Sequence, residues 1–398
     1  MKTIVEINSV NFGSTGNIML QIADEANKKG NMVYVACANR RSTRRKKVER
    51  QIFISNRFFL QINEIINKLT GRDSLLCKIS TLLFIKKIKK IHPDIIHLHN
   101  LHGRYISLPV LFRYIKKNNI RTIWTLHDCW TFTGHCTYFD IVECDKWKTG
   151  CYNCPQYNDG YLRTWRDGSK KMYARKKKWL TGVKDMTLVT PSKWLAGLVS
   201  QSFLREYPVQ VINNGIDLSI FKPTESNFRE KYHCEDKFVV LGVAFGWGRR
   251  KGLDVFIELA KRLDERFQIV LVGTSEEVEA QLPANVICIR QTQNQTELAK
   301  IYTAADVFAN PTREDNYPTV NMEALACGTP VITFRTGGSP EVIDDTCGIV
   351  VERGCINSME YSIREVFMHR PFIADKCIDK AKTFNMHTKF EEYVQLYG

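Results

Sequence analysis

The segment between Pro311 and Pro330 contains two neighbouring acids, a polar loop and a helix start, and a nucleotide site can be built from these parts. A helix is expected to begin near Pro318 and Thr319, because proline is favoured in the first helical turn. The unpaired N–H groups of that turn can bind a phosphate. One turn later, Glu323 can accept hydrogen bonds from the paired hydroxyl groups of a ribose. A phosphate site beside an acid that is aimed at hydroxyls indicates a nucleotide-activated sugar as the ligand.

A run of cations provides the charge that a diphosphate needs. Arg249, Arg250 and Lys251 follow a predicted strand and a glycine-bearing loop. Cations at that place can offset the negative charge that builds on a departing nucleoside diphosphate. A solvated helix start is the alternative interpretation. The sequence contains no Asp-x-Asp motif, so a metal ion that bridges the diphosphate is not expected and no cofactor is predicted for catalysis.

Two features of the first half of the chain are weaker candidates. Gly13 and Gly16 lie in a turn-rich segment, but their spacing is not G-x-G-x-x-G, so an NAD site is rejected. His127 follows a strand predicted over Thr122–Leu126, and the carboxyl ends of parallel strands are where such folds bind ligands. A purely structural histidine is the alternative.

Five of the 13 cysteines fall within residues 129–154. Four of these follow the spacing C-x7-C-x6-C-x2-C, which suits a tetrahedral zinc site: Cys136, Cys144, Cys151 and Cys154. In a cytosolic protein a metal site is favoured over disulfides. We therefore expect a structural zinc ion, with free buried thiols, an iron–sulfur cluster or disulfides as the alternatives.

Two α/β domains are needed to position these residues. Strands and helices alternate from Thr3 onward, and the alternation restarts after Gly215. Such βαβ units build doubly wound parallel sheets, and a length of 398 residues also favours two cores. The prediction is an α/β fold of two Rossmann-like domains, 1–212 and 213–370, with a helical segment, 371–398, that packs back on the first domain. The cysteine-rich segment 129–154 is interpreted as an insertion in the first domain.

The composition excludes the disordered and membrane-spanning classes of protein. Hydrophobic residues make up 44% of the chain and charged residues 25%, which is ordinary for a globular protein. No apolar run approaches the ~18 residues that a membrane-spanning helix needs. Glu6 interrupts the apolar start of the chain, where a signal peptide would continue its apolar core. We therefore expect the protein in the cytoplasm.

Charge is distributed unevenly along the chain. Residues 1–212 contain 36 Lys and Arg against 15 Asp and Glu, a net charge of +21, whereas the remaining residues have a net charge of −6. Such a basic body is suited to phosphate, in nucleic acid, an anionic membrane face or a lipid diphosphate. A basic surface that serves only solubility is the alternative. The apolar runs 58–60 and 82–84 are candidates for a membrane interface, with packing against the sheet as the alternative.

The segment from Glu314 to Glu323 resembles the E-x7-E signature of the retaining glycosyltransferases of family 4, which have the GT-B fold. The second glutamate of the signature corresponds to Glu323, and family members use this residue to hold the donor ribose. The first acid corresponds to Asp315 by spacing and to Glu314 by residue type. This is a departure at the position that usually touches the donor sugar, so both acids are candidate catalytic residues and the sugar stays open.

The same resemblance extends over nearly the whole chain and implies further roles. A cation pair from residues 249–251 clamps the donor diphosphate, and Lys251 is the better match. The segment Gly13–Gly16 matches a glycine loop that faces the donor phosphates across a cleft between the domains. His127 matches a histidine that contacts the transferred sugar. The donor-binding residues that the resemblance implies are Gly13, Gly16, Arg249, Arg250, Lys251, Pro318, Thr319, Glu323, Gly337 and Gly338.

The resemblance implies that a sugar is transferred from a UDP- or GDP-sugar to a glycan, with retention of the anomeric configuration. The surroundings of His127 and of Cys154 resemble enzymes of exopolysaccharide, capsule or O-antigen assembly. The acceptor is therefore expected to be lipid-linked, and the enzyme peripheral on the inner face of a bacterial membrane. The rival interpretations are a nucleotide-sugar epimerase of the same fold and a nucleic-acid-binding zinc protein. The basic first domain argues against the epimerase, and no specific nucleic acid is expected as a partner.

Overall fold

A computed structural model of the chain describes residues 1–71, 77–160 and 162–398. The chain divides into two compact units. The first unit contains Met1–Ile212 and Phe390–Gly398, and the second contains Asn213–Lys389. Each unit is built on a parallel sheet whose faces are covered by apolar side chains.

The first unit has a seven-stranded sheet in the order β3-β2-β1-β4-β5-β6-β7, and all of its strand pairs are parallel. Its central strands are apolar and buried, as expected where helices cover both faces of a sheet. The strands are β1 Thr3–Ile7, β2 Met32–Cys37, β3 Gln51–Phe53, β4 Ile95–Leu98, β5 Arg121–Thr125, β6 Met186–Thr190 and β7 Val209–Val211.

Helices connect these strands, and several begin at a residue whose side chain caps the helix. Asn56 accepts a hydrogen bond from Phe59 N, and Ser192 accepts one from Leu195 N. The segment between β5 and α6 contains two short 3-10 turns, Trp130–Phe132 and Lys146–Lys148. The helices are α1 Gly13–Lys28, α2 Arg41–Arg45, α3 Arg57–Thr70, α4 Lys78–Ile91, α5 Leu108–Asn118, α6 Ser169–Leu180 and α7 Lys193–Gln201.

The second unit has a six-stranded parallel sheet in the order β10-β9-β8-β11-β12-β13. Its strands are β8 Phe238–Val243, β9 Phe267–Val272, β10 Ile287–Ile289, β11 Val307–Asn310, β12 Val331–Phe334 and β13 Gly348–Val351. Its helices are α8 Phe228–Lys231, α9 Leu253–Arg262, α10 Glu276–Glu279, α11 Gln295–Ala304, α12 Thr319–Ala326, α13 Ile356–His369 and α14 Ala374–Lys382; the last helix of the chain is α15 Met386–Tyr397.

The parallel direction of the strands decides where each loop lies. Every loop that follows a strand leaves the carboxyl edge of its sheet, and this edge is where open α/β sheets bind ligands. In the first unit the loops after β1, β2, β4 and β5 leave this edge. In the second unit the corresponding loops follow β8, β11 and β12, three neighbouring strands of the sheet.

The segment 371–398, for which we expected packing on the first domain, is shared between the two units. Helix α14 packs against α12 within the second unit. Asn385 and Ile216 form a parallel bridge, also in the second unit. Residues Phe390–Gly398, at the end of α15, belong to the first unit, where the Tyr397 hydroxyl donates a hydrogen bond to Glu6 Oε1 (2.8 Å).

The structure differs from the sequence-based expectation at three places. The edge strands β3 and β7 were not expected, because three residues are too few to show strand alternation. Helix α1 begins at Gly13, so Gly13–Gly16 is the first helical turn and not a loop. The apolar runs 58–60 and 82–84 do not pack wholly against the sheet, since Phe58 is 66% exposed and Leu83 is 53% exposed.

None of the helices in the described residues combines the length and the apolar character that crossing a membrane requires. Exposed apolar side chains are instead concentrated on α3 and α4, which belong to the basic first unit. They are Phe58, Phe59, Ile65, Leu69, Ile79, Leu82 and Leu83.

Candidate active site

A buried hydrogen-bond network holds the start of α12 in the second unit. The Asn310 side-chain amide donates to Asn321 Oδ1 (2.7 Å), and the Asn321 amide donates to Ser339 Oγ (2.9 Å). The hydroxyls of Ser339 and Thr333 lie 2.7 Å apart. All four residues are buried. The network therefore joins β11, α12, β12 and the 3-10 turn Ser339–Val342 at the carboxyl edge of the sheet.

Glu323 lies in the second turn of α12, as the sequence predicts, and its side chain is half-buried. The Tyr302 hydroxyl from α11 donates to Glu323 Oε2 at 3.2 Å. Burial raises the pKa of Glu323 to about 7, although hydrogen bonds with Thr319 and Tyr302 oppose this shift. The carboxyl group thus changes charge near neutral pH. Pro318 precedes the helix with extended backbone angles, and Thr319 is its first residue.

The cation run 249–251 forms a 3-10 turn after β8 and reaches the acidic loop that follows β11. Lys251 Nζ pairs with Asp315 Oδ2 at 2.6 Å, and both side chains are largely buried. Arg250 Nη1 donates to the backbone carbonyl of Glu314 at 3.2 Å. Arg249 and Arg250 are exposed, whereas Glu314 is buried. Of the two arginines, Arg250 is therefore the one whose guanidinium contacts the acidic loop.

No sequence pattern selects Arg313, yet this residue fixes the cation turn to the acidic loop. Its guanidinium donates to both carboxylate oxygens of Asp254, at 2.7 and 2.8 Å. Its Nη1 also donates to the carbonyl of Arg249 at 2.7 Å. Gly252 must be glycine at this junction, because its φ is 79° and a Cβ would lie 2.5 Å from the Pro311 carbonyl oxygen.

Gly337 and Gly338 lie in the loop between β12 and the 3-10 turn, at the same edge of the sheet. Gly337 has a φ of 54°, a left-handed conformation that favours glycine. Gly338 N donates to the carbonyl of Asn316 at 2.8 Å, which ties this loop to the acidic loop. Ser339 is the first residue of the turn, and its hydroxyl belongs to the buried network.

In the first unit, Gly13 and Gly16 frame the first turn of α1, whose N–H groups lie at the carboxyl edge of the sheet. Gly13 is exposed, with a φ of 69° and no atom within 4 Å of an added Cβ. Gly16 is buried, and an added Cβ would lie 2.7 Å from the backbone carbon of Asn11. Gly16 therefore serves the packing of α1 on the preceding loop, whereas the space beside Gly13 is open.

His127 lies just after β5, at the carboxyl edge, and is buried. Its Nε2 is 3.0 Å from His99 Nδ1, and His99 Nε2 is 2.7 Å from Glu6 Oε2. Burial and the neighbouring His99 lower the pKa of His127 well below its usual range. Burial also lowers the pKa of His99, to about 4. With both rings neutral, His99 donates to Glu6 and His127 donates to His99, so the chain of contacts fixes the tautomer of His127.

Glu6 is the fully buried centre of this network. Burial alone would raise the pKa of Glu6, but His97 and His99 outweigh it and lower the pKa to about 2. His97 Nδ1 lies 3.1 Å from Glu6 Oε1 and 2.8 Å from the Tyr397 hydroxyl. His97 Nε2 lies 2.8 Å from Thr125 Oγ1. The carboxylate is thus shared by two histidines and a tyrosine.

The sequence carried a signal for this network that we did not use. Glu6 is a lone acid in an apolar strand, and a buried acid requires partners. His97 lies on β4 and His99 directly follows that strand, so the alternation of side chains along the chain places both on the same face of the sheet. Glu6 and His97 are register partners of the neighbouring strands β1 and β4. Strand order could not be read from sequence, so the pairing was missed.

Possible metal ligands fall into two groups in the described residues. Ligand atoms of Glu6, His97 and His99 are the only set of three that lies within 4.8 Å in this part of the chain. Their hydrogen bonds to one another, to Thr125 and to Tyr397 account for this closeness without a metal. The second group, the cysteine cluster, surrounds a small cavity whose lining includes Cys136, Cys144, Cys151 and Cys154.

The cysteine cluster is also held by local hydrogen bonds. Gly134 N donates to Cys151 Sγ at 3.1 Å, and a Cβ on Gly134 would lie 2.8 Å from the Cβ of Cys151. Asn153, inside the C-x2-C turn, has a left-handed φ of 44°. Lys146 Nζ donates to the carbonyls of Tyr152 and Asn153, at 3.2 and 3.0 Å. All four thiols are free of disulfides.

Two family models match the chain, one in each half. The model described as Glycosyltransferase Family 4 matches residues 15–220, about half of the chain. The model described as Glycosyl transferases group 1 matches residues 235–369. The putative colanic acid biosynthesis glycosyl transferase WcaC of Escherichia coli (strain K12) is 24% identical over 326 residues, which cover 77% of this chain and 76% of that protein.

Solved structures resemble the chain over its whole length. Sucrose-phosphate synthase from Thermosynechococcus elongatus superposes with a TM-score of 0.74 and 18% identity, covering 100% of this chain and 98% of that one. Anabaena HepE, solved in complex with UDP-glucose, superposes with a TM-score of 0.66 and 14% identity, covering 100% and 99%. Likeness at this level of identity concerns the fold. The predicted GT-B fold is confirmed.

We predict that the Glu6 network makes stability dependent on acid pH. Because the pKa of Glu6 is lowered from 4.5 to about 2 on folding, the ionised carboxylate stabilises the protein above pH 4.5 and loses this effect as the pH falls towards 2. Glu6→Gln should lower the free energy of unfolding at pH 7 by about 3–5 kcal/mol. The difference from wild type should shrink as the pH falls from 4.5. Urea unfolding followed by tryptophan fluorescence measures it.

A matched control for this prediction is Glu49→Gln, which removes an exposed carboxylate of the same unit. Its free energy of unfolding should stay within about 0.5 kcal/mol of wild type at every pH. A difference between wild type and Glu6→Gln that stays constant from pH 7 to pH 3 would contradict the role given to the ionised carboxylate.

Proposed function

The chain belongs to glycosyltransferase family 4 and is a glycosyltransferase, and on this premise we propose that it moves a sugar from a nucleoside-diphosphate sugar to a lipid-linked glycan. Glu323 carries the proposal. It is an acid with a pKa near neutrality, one turn inside a helix whose N-cap residue, Pro318, makes no side-chain capping bond to the described residues of the first turn. This arrangement suits a ribose and a phosphate of the same nucleotide.

The cation turn supports a diphosphate as the leaving group. Lys251 and Arg250 reach the loop that precedes the start of α12, so their charges lie on the phosphate side of Glu323. Cations at that position stabilise the charge that develops on the departing diphosphate. HepE, which has a similar fold, was solved with UDP and with UDP-glucose. For this chain we propose a UDP-sugar before a GDP-sugar.

The proposed reaction retains the anomeric configuration. The bond between the sugar C1 and the diphosphate oxygen breaks, and the acceptor hydroxyl attacks C1 from the same face. The hydroxyl proton passes to the departing diphosphate, so no enzyme nucleophile is needed. His127, whose tautomer the network of Glu6 and His99 fixes, would contact the transferred sugar. In the second unit, Glu314 or Asp315 is the acid that we propose for recognition of the donor sugar.

We predict that Lys251→Ala and Glu323→Ala each lower the rate of sugar transfer by about 100-fold or more, because each removes a contact with the leaving nucleotide. Since the Glu323 carboxylate forms as the pH rises through about 7, UDP should bind more tightly at higher pH. Calorimetry of UDP binding on both sides of neutral pH measures this. Glu323→Gln should remove the part of the pH dependence that belongs to Glu323.

The control for this prediction is Lys261→Ala, which removes an exposed lysine of α9 that pairs with its neighbour Glu258. It should transfer sugar and bind UDP as wild type does. Near-wild-type transfer by Lys251→Ala or Glu323→Ala would refute the assignment of the donor site. Formation of an epimerised nucleotide sugar without any acceptor would favour an epimerase instead.

We further propose that the first unit docks on an anionic membrane, where a lipid-linked acceptor is found. The unit contains the exposed apolar side chains of α3 and α4 together with most of the chain's positive charge. Anionic lipid attracts such a surface by charge, and exposed apolar side chains can enter the interface. The name of WcaC, colanic acid biosynthesis, supports an acceptor of the exopolysaccharide kind.

Flotation with phosphatidylglycerol vesicles tests this docking. We expect wild type to float at low salt and to be released at high salt, because charge attraction is screened. The triple variant Phe58→Ser, Ile65→Ser, Leu69→Ser should float about tenfold less, since it removes exposed apolar area. The control pair Met368→Ser and Ile373→Ser removes exposed apolar side chains of the second unit and should leave flotation unchanged. Wild type that fails to float at low salt would refute the docking.

We also propose that the cysteine cluster holds a structural zinc ion. Four thiols line one cavity, and an N–H group already donates to Cys151 Sγ, as backbone N–H groups do to metal-bound thiolates. Their sulfur atoms are farther apart than in a loaded tetrahedral site, since no three of them come within 4.8 Å in the described residues. Rotation of the side chains towards the cavity would close that site.

Elemental analysis of purified protein tests the zinc proposal. We expect about one zinc ion per chain, lost in Cys151→Ser and in Cys154→Ser together with thermal stability. The control Cys288→Ser changes a partly exposed cysteine of the second unit and should keep its zinc. Wild type with neither zinc nor iron in stoichiometric amount would exclude a metal in the cluster.

A further inference from the structure

A cavity of about 290 Å³ lies in the first unit, apart from the residues discussed so far. Its walls come from the loop after β2, the loop after β4 and helix α3. Both loops leave the carboxyl edge of the sheet, the edge that also carries His127 and the first turn of α1. The lining residues are Asn39, Arg40, Arg41, Arg57, Leu60, Gln61, Glu64, Gly103 and Arg104. We call this the arginine cavity.

The charge of the arginine cavity is strongly positive. Among the lining residues that the structure describes, four are arginines and Glu64 is the single carboxylate. Glu64 Oε1 lies 3.0 Å from Lys68 Nζ and 3.7 Å from Arg104 Nη1. The carboxylate is therefore already shared with a lysine beside the cavity, and the arginines keep a large excess of positive charge. An anion is the ligand that such a cavity suits.

Two of the arginines are built into the fold. Arg104 is buried, with a left-handed φ of 64°, and its Nη2 donates to the carbonyls of Leu162 and Arg163 at 3.1 and 3.2 Å. Arg40 Nη2 donates to the carbonyl of Gly103 at 2.8 Å. The Nε of Arg40 is buried and has no hydrogen-bond partner in the described part of the chain. A buried donor without an acceptor lowers the free energy of unfolding, and an anionic ligand would supply the missing acceptor.

The other two arginines, Arg41 and Arg57, are exposed at the mouth of the cavity. Guanidinium groups recognise phosphate oxygens in pairs, which suits a ligand that has several such oxygens. Arg57 also begins α3, the helix that exposes Phe58, Ile65 and Leu69 on the face next to the cavity. Phosphate recognition and an apolar surface therefore lie side by side on one helix.

We propose that the arginine cavity binds the diphosphate group of a lipid-linked acceptor, with its hydrocarbon chain on the apolar face of α3. This proposal rests on the proposed function, because it identifies the acceptor as a lipid diphosphate. Four guanidinium groups around one cavity match the oxygen count of a diphosphate better than that of a single phosphate diester. The carboxyl edge of the sheet then presents the glycan of the acceptor on the same side as His127.

Binding of geranyl diphosphate by calorimetry tests the proposal, because this probe has the diphosphate and a short hydrocarbon chain. The double variant Arg41→Gln, Arg57→Gln should bind geranyl diphosphate about tenfold or more weakly than wild type, because each substitution removes an ion pair between a guanidinium group and the diphosphate. The control Arg113→Gln, Arg205→Gln removes two exposed arginines of the same unit and should bind it as wild type does. Saturating UDP should not displace geranyl diphosphate from wild type.

Each other outcome points elsewhere. Equal binding by the double variant and its control would overturn the proposal, and so would displacement of geranyl diphosphate by UDP. Inorganic pyrophosphate that binds as tightly as geranyl diphosphate would indicate a free anion rather than a lipid. If the double variant no longer floats with phosphatidylglycerol vesicles and wild type does not bind geranyl diphosphate, the ligand of the cavity is a phospholipid headgroup. Failure of the donor site is distinguishable, because it appears as UDP binding that Lys251→Ala leaves unchanged.

Discussion

The parallel direction of the strands is the constraint on which both candidate sites depend. In a parallel sheet every βα loop leaves the same edge, so the direction of the strands alone brings residues that are distant in sequence close together. In the second unit this edge gathers the cation turn, the acidic loop, the start of α12 and the glycine loop. In the first unit it gathers the turn at Gly13, the arginine cavity and His127.

The sheet brings these loops together, but buried polar side chains fix their conformations. Asn321 performs this task in the second unit, where its amide joins β11 to the 3-10 turn at Ser339. Glu6 performs it in the first unit, where one carboxylate holds His99 and through it His127. Removing either side chain would leave its partners buried and unsatisfied, which costs more than the lost hydrogen bond itself. In both units, the buried polar side chains behind the carboxyl edge of the sheet therefore determine how precisely the loop residues at that edge are positioned.

The sequence predicted local features well and tertiary pairing poorly. The βα alternation, the start of α12 near Pro318 and the GT-B fold followed from periodicity, helix-end preferences and family resemblance, which depend on neighbouring residues. The partners of Glu6 and the clamp between Arg313 and Asp254 depend on strand order and loop approach, so no local pattern revealed them. The arginine cavity was hidden for the same reason, because its arginines come from three separate segments.

The two anion-binding candidates differ in how far their charge is already compensated. At the donor site Lys251 is paired with Asp315 at 2.6 Å, and Arg313 is paired with Asp254. An incoming diphosphate must therefore compete with the Asp315 carboxylate for Lys251. This competition weakens the attraction of anions in general, so the selection of the nucleotide depends on the contacts of Glu323 and of the helix start. The arginine cavity has no comparable acid among its lining residues except Glu64. Its attraction for anions is therefore stronger and less selective than that of the donor site. This property suits the diphosphate of the proposed acceptor, because every lipid-linked acceptor of one class shares that group. The glycan attached to the diphosphate would then provide the specificity.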